Sequence, residues 1–297
     1  MAIIPLALTP GDVISVIAPS GCFDHDAFTS GIEILRQAGF QTRYNQDIFV
    51  SQQYLAGSDS RRINELKAAL NEPDIKAIWV ARGGYGATRI IPHISINQIV
   101  TSPRWLIGFS DTTALHSIWS QANIVSIHGA NITTLKTWDE KARQELFQLL
   151  SCPKPIIYQG EVISGGPSFV RGRLLGGNLT VLAAMSGTGV YANLDDFILM
   201  IEDIGERPYR LDRSLTQLRY SGVLSKVRGV AVGQLTNCCD PGNDKNSALQ
   251  AILSALTDMH LPILAGLPFG HEPSARAVLL GAQAELNTQN ATLTVQP

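Results

Sequence analysis

The chain has 297 residues, 45% of them hydrophobic and 16% charged, with a net charge of −2 and a pI near 6.3. That composition excludes a disordered chain and fits a sizeable core, with two domains of ordinary size preferred over one. No block of Lys and Arg offers a phosphate track for nucleic acid, and no run approaches the roughly 18 apolar residues of a membrane-spanning helix.

The opening Met1-Ala2-Ile3-Ile4-Pro5-Leu6 has neither the basic flank nor the long apolar run of a secretory signal. Val13–Ala18 has strand propensity and stops at Pro19-Ser20-Gly21. A helix is predicted over Ala27–Ala38, closed by Gly39, then a short strand over Phe40–Tyr44. The apolar positions Ile63, Leu66, Ala69 and Leu70 predict a helix over Ser60–Leu70. Ile75–Ala81 is a strand running into Arg82-Gly83-Gly84-Tyr85-Gly86. Trp105–Phe109 is a strand running into Ser110-Asp111, followed by a helix through Trp119. Ile124–Ile127 is a strand ending at His128-Gly129. Strands alternating with helices imply a parallel sheet covered on both faces.

A helix over Glu140–Leu150 closes an N-terminal domain, residues 1–150. Residues 151–170, rich in Pro, Gly and Ser, read as a linker. A C-terminal domain, 171–297, follows. It opens with a strand over Arg171–Leu175 and the turn Gly176-Gly177-Asn178, then an apolar helix to Met185. Further elements are a strand at Phe197–Ile201, a helix at Tyr209–Ser221, a strand at Gly229–Val232 and a helix at Ser247–Thr257. Short strands at Ile263–Ala265, Val278–Leu280 and Thr292–Val295 complete the chain.

Four apolar strands stop abruptly at small or polar residues, and ligands collect at the carboxyl ends of parallel strands. Ser110 is the sharpest candidate among these ends. A serine between a buried strand and a helix is either a helix cap or a nucleophile whose oxyanion the helix N-terminus would stabilise. The segment departs from G-x-S-x-G because Thr112 replaces the last glycine, so an α/β-hydrolase is not indicated. A serine nucleophile needs a base, and the base an orienting group. Of six histidines, His271 stands in a loop of turn formers, Leu267–Pro273, and is the first candidate base. His128 is the second, and His116, inside the helix after Ser110, reads as a packing residue. Glu202, directly after five apolar strand residues, is the candidate orienting carboxylate.

The Arg82–Gly86 loop lets a backbone approach a ligand closely but lacks both dinucleotide and P-loop patterns. It reads as an oxyanion donor or as a plain tight turn, with Arg82 able to hold a carboxylate through its planar fork. No HExxH, paired CxxC or calcium loop is present, so neither metal nor cofactor is expected. Cys22, Cys152, Cys238 and Cys239 read as reduced thiols of a cytoplasmic protein.

Taken in order, Ile17–Gly21, Ala81–Gly86, Gly108–Asp111, Gly172–Asn178, Ile201-Glu202-Asp203 and Gly270-His271 resemble the LD-carboxypeptidases, or muramoyltetrapeptide carboxypeptidases. The resemblance spans nearly the whole chain and gives no match only around 138–170. It implies an N-terminal flavodoxin-like parallel-sheet domain plus a smaller C-terminal α/β domain. It also implies a homodimer, and a triad of Ser110 as nucleophile, His271 as base and Glu202 as orienting acid, split between the domains. The backbone N–H groups of Gly84 and Asp111 match the oxyanion hole. The implied substrate is a murein tetrapeptide, free or muramoyl-linked, that loses its terminal D-alanine. A related amidase cleaving a peptidyl- or aminoacyl-nucleotide antibiotic would use the same triad. A two-domain binding protein is the non-enzymatic rival.

Overall fold

The computed structural model describes residues 2–164, 166–191, 194–240 and 246–297; Gly165, in the stretch read as a linker, lies outside them. The chain forms two compact units. One is Met1–Lys154 with Arg276–Val278, and the other is Pro155–Ala275 with Leu279–Pro297.

The first unit runs β1 (Val13–Ile17), α1 (His25–Gln37), β2 (Gln41–Arg43), α2 (Asp59–Asn71), β3 (Ile75–Val80), α3 (Ala87–Ile90) and α4 (Ile96–Thr101). It continues through β4 (Trp105–Gly108), α5 (Thr113–Gln121), β5 (Ser126–His128) and α6 (Glu140–Ser151). Local chemistry sets the helix starts: Asp24 accepts the Ala27 N–H and Ser58 the Arg61 N–H, each satisfying an orphan donor of the first turn. The second unit contains β6 (Ile156–Gln159), β7 (Glu161–Ser164), β8 (Phe169–Asn178), α7 (Leu179–Met185), β9 (Phe197–Ile204), α8 (Pro208–Tyr220) and β10 (Val227–Thr236). It ends with α9 (Ser247–Leu256), β11 (Ile263–Ala265), β12 (Val278–Leu280), β13 (Gln283–Asn287) and β14 (Thr292–Gln296), of which Val278 belongs to the first unit.

Among the described residues the first sheet has the order β12-β5-β4-β3-β1-β2. The pairs from β2 through β5 are all parallel, which is the flavodoxin-like order 2-1-3-4-5. The carboxyl ends of β1, β3, β4 and β5 therefore share one edge, as the abrupt strand ends suggested. The central strands are continuous apolar runs because helices cover both faces; Ala77–Val80 and Trp105–Ile107 are almost wholly buried.

The second sheet has the order β6-β14-β13-β8-β9-β10-β11-β7. Its centre, β8 to β11, is parallel, and antiparallel strands flank it on both sides. Leu182 of α7, Leu211 and Leu215 of α8 and Ile252 of α9 pack on Leu199, Ile201 and Val230. Among the described residues no helix is long and apolar enough to cross a membrane.

Several stretches differ from the sequence reading, among them the short helices α3 and α4, which it did not assign. Residues 151–170 are more than a bare connection, since they carry β6 and β7, short strands at the two edges of the second sheet. Gln283–Asn287, with only Ala284 and Leu286 fully buried, is a strand whose two-residue alternation was too brief to stand out. Gly176 and Gly177 do not form a turn, because β8 runs straight through them to Asn178. The glycine is required there by space: a Cβ on Gly176 would lie 1.9 Å from the Met200 carbonyl oxygen of β9. Gly176→Ala should therefore destabilise the fold by more than about 3 kcal/mol, through overpacking and an unfavourable φ together. Urea unfolding followed by circular dichroism measures this, and an unchanged midpoint would contradict the close approach of the two strands.

Candidate active site

In the first unit the carboxyl end of β4 makes a sharp reversal. Gly108 has no room for a side chain, since a Cβ would sit 2.7 Å from Thr112 Oγ1 and 2.9 Å from Asn131 Oδ1. Asn131 in turn accepts the Phe109 N–H at 3.2 Å. Ser110 then takes φ = 63°, a left-handed conformation unusual for a residue with a side chain. A single 3-10 turn, Ser110–Thr112, leads directly into α5. This is the strand-to-helix turn that lifts a side chain clear of the backbone.

Around Ser110 stand the ends of β1 and β3. Gly83 lies so close that a Cβ there would be 2.9 Å from Ser110 Cβ and 3.0 Å from its Oγ. Gly84 has φ = 99°, and its neighbour Gly83 accepts the Gly21 N–H at 3.0 Å, so this loop and the β1 end are tied. Arg82 is exposed and its guanidinium donates to the Cys22 carbonyl. Asp111 is buried: its Oδ2 accepts the Ser20 hydroxyl at 2.6 Å and the Ala87 N–H at 2.8 Å. Burial raises its carboxyl above the usual range, against the hydrogen bonds from Ser20 and Ala87.

Two buried histidines, His116 and His128, lie near the Ser110 turn. The Nε2–H of His116 donates to the Gly108 carbonyl at 2.9 Å, which leaves Nδ1 to accept from the Ser126 hydroxyl at 2.8 Å. Full burial pushes His116 down to about 3, so it stays neutral and serves packing. His128, at the end of β5, is buried with its ring 6.0 Å from that of Phe109.

In the second unit Glu202 and Asp203 are successive residues of β9 and so face opposite sides of the sheet. Asp203 accepts from Asn178 Nδ2, the Thr180 N–H and the Thr180 hydroxyl, at 2.8–2.9 Å, and anchors the start of α7. Burial, and next the neighbouring Glu202 charge, raise its carboxyl. Glu202 is fully buried, and its Oε2 lies 2.8 Å from Nδ1 of His271. The partner strand β10 slips register between Val232 and Leu235, and this bulge puts Gly233 and Gln234 beside Glu202. A Cβ on Gly233 would fall 3.3 Å from Glu202 Cβ, and one on Gly270 would fall 3.4 Å from Glu202 Oε2. Gln234 holds the histidine loop at both ends: its N–H donates to the Phe269 carbonyl at 2.7 Å, and its Oε1 accepts the Glu272 N–H at 3.0 Å. The His271 side chain keeps 11% of its surface exposed. An Nδ1–H donated to the carboxylate leaves the basic lone pair on Nε2, the tautomer a general base requires.

Arg62 and Glu65 are among the buried charges that were not singled out from sequence. Arg62, fully buried, donates to the carbonyls of Pro19 and Gly86 and to Asp59. Glu65 accepts the Ala18 N–H at 2.7 Å and is paired with Arg61; burial lifts it to about 7. Their signal was present in α2, because positions 62 and 65 fall on the same stripe as Leu66 and Ala69. Among the described residues no group of His, Cys, Asp and Glu could hold a metal ion.

The LD-carboxypeptidase N-terminal domain matches residues 14–129, and the LD-carboxypeptidase C-terminal domain matches residues 171–286. A putative carboxypeptidase of Synechocystis is 36% identical over 97% of this chain and 96% of its own. The murein tetrapeptide carboxypeptidase of Pseudomonas aeruginosa is 32% identical over 92% of each chain. The Escherichia coli microcin C7 self-immunity protein is 23% identical over 98% of this chain and 94% of its own. A structure of that immunity protein, in complex with glutamyl sulfamoyl guanosine, superimposes with a TM-score of 0.87 over 99% of this chain and 98% of that one, at 20% identity. The chain belongs to the LD-carboxypeptidase family. It is accordingly a serine-type carboxypeptidase, a hydrolase of peptide bonds.

The neutral His116 gives acid stability a definite direction. The unfolded chain protonates this imidazole near its ordinary value of about 6.5. The folded protein does so only near 3. Acidification between those values thus favours unfolding. His116→Asn should lose less of its urea midpoint than the wild type between pH 7 and pH 4.5. Equal losses in the two proteins would remove His116 from the acid response.

Proposed function

We propose that the protein hydrolyses the bond between an L-centre and the terminal D-alanine of a murein tetrapeptide, with Ser110 as nucleophile, His271 as base and Glu202 as the acid that orients it. The observation that carries this reading is the 2.8 Å pairing of a fully buried carboxylate with Nδ1 of a histidine that keeps solvent access. The family and the named activity of the Pseudomonas aeruginosa relative support the substrate class.

Ser110 Oγ attacks the carbonyl of the penultimate residue while His271 Nε2 takes its proton. The Gly84 and Asp111 N–H groups, one on the loop pressed against Ser110 and one at the start of the following turn, stabilise the tetrahedral oxyanion. His271 then gives the proton to the departing D-alanine amine. Water deacylates the serine ester by the same route in reverse. Glu202 fixes the imidazole tautomer and balances its charge. Arg82 binds the free carboxylate that distinguishes an exopeptidase substrate, using donors beyond the one spent on Cys22. The reading includes a cytoplasmic setting, which the free thiols of Cys22, Cys152, Cys238 and Cys239 suit, and a homodimer.

Ser110→Ala should abolish release of D-alanine from tetrapeptide, followed by mass spectrometry, while circular dichroism stays that of the wild type. His271→Ala should lower kcat by at least about a thousandfold, and Glu202→Ala by less. Full activity of Ser110→Ala would sink the mechanism. In a mixed assay with an aminoacyl-sulfamoyl adenylate, the tetrapeptide should be consumed first; the opposite preference would move the protein to the immunity branch of the family.

A further inference from the structure

Two buried side chains hold the same two loops at consecutive residues. Arg62 Nη1 donates to the carbonyls of Pro19 and Gly86. Asp111 Oδ2 accepts from the Ser20 hydroxyl and the Ala87 N–H. Residues 19–20 follow β1, and residues 86–87 close the loop that follows β3. Each loop is thus pinned once through carbonyl oxygens and once through donors. The two pins also attract each other, since Arg62 is the cation that acts on Asp111.

The loop so held is the one pressed on Ser110. Gly83 leaves no space for even a methyl group against the serine, and Gly86 none against Arg62, where a Cβ would lie 2.5 Å from Nη1. A loop packed this tightly transmits displacement directly. Donors aimed at a developing oxyanion lose most of their effect when misplaced by about 1 Å. Asp111 is bonded to Ser20, three residues past β1, and to Ala87, the first residue of α3, just after the glycine loop. It is also covalently next to Ser110. The carboxylate therefore ties together three strand ends with one oxygen.

We infer that the Asp111 side chain is a positioning residue of the reaction, fixing the Gly83–Gly86 loop against the Ser110 turn through Ser20 and Ala87. This role is separate from that of the Asp111 backbone N–H, and it rests on Ser110 being the nucleophile. It acts on the rate of attack rather than on substrate affinity, because neither Ser20 nor Ala87 is assigned a contact with the peptide.

The test is the rate at which a fluorophosphonate phosphonylates Ser110, with loss of fluoride and the site located by peptide mass spectrometry, together with kcat, KM and the thermal midpoint. Ser20→Ala removes one of the two bonds and should slow both labelling and kcat by about tenfold, with KM within about twofold. Asp111→Ala should slow both by about a hundredfold. Asp111→Asn, whose amide oxygen still accepts both bonds, should recover most of the loss. Wild-type labelling rates in Ser20→Ala and Asp111→Ala would overturn the inference, as would Asp111→Asn being as slow as Asp111→Ala. A fall in thermal midpoint with unchanged labelling would make the residue merely structural. Where Asp111→Ala does not fold, Ser20→Ala decides the question. Wild-type protein that is not labelled at Ser110 would overturn the nucleophile assignment itself, and the inference with it; labelling that the variants leave untouched overturns only the inference.

Discussion

A carboxylate taken out of water must find donors nearby, or the fold bears several kcal/mol of desolvation with nothing to offset it. This chain buries Glu65, Asp111, Glu202 and Asp203, and every one lies at or beside the carboxyl end of a strand or the loop following one. Their donors are mostly backbone N–H groups and short side chains of adjoining loops. Satisfying the carboxylates thus bends those loops into fixed shapes. Glu65 fixes the end of β1 through Ala18, Asp111 fixes Ser20 and Ala87, and Asp203 fixes Asn178 and Thr180. Glu202 is the exception that explains the pattern, because its partner is a titratable ring on a loop rather than a backbone group.

The same economy governs the glycines. At Gly83, Gly176, Gly233 and Gly270 a methyl group would strike a neighbouring backbone or side-chain atom within 3 Å. Three of these positions adjoin Ser110, Glu202 or Gln234. Packing that leaves no room for a methyl group holds reacting groups more rigidly than hydrogen bonds alone, since any displacement meets a steep repulsion.

Much of this was legible in the sequence, and the failures have physical causes. The parallel strands of the first unit announced themselves as apolar runs that stop at polar residues, because both sheet faces are covered. Ser110 and Glu202 stood out for the same reason, each following such a run, and His271 because it stands in a cluster of turn formers. The edge strands Ile156–Gln159 and Glu161–Ser164 were hidden because an edge strand needs only one buried face and tolerates Pro and Gly beside it. The pairing of Glu202 with His271, 69 positions apart, has no local signature at all. Arg62 and Glu65 were visible as charges on an apolar helix stripe, yet only the loops they bind show why they are there.

One topological detail bears on how the protein is made. The first sheet is completed by β12, and Arg276 and Ala277, just before it, also belong to the first unit: Arg276 pairs with Glu145 of α6, and Ala277 packs near Gly129. The ribosome delivers this segment only after nearly all of the second unit has emerged. The flavodoxin-like unit is therefore born with an open sheet edge, next to the strand that carries His128, and stays open until the last tenth or so of the chain arrives.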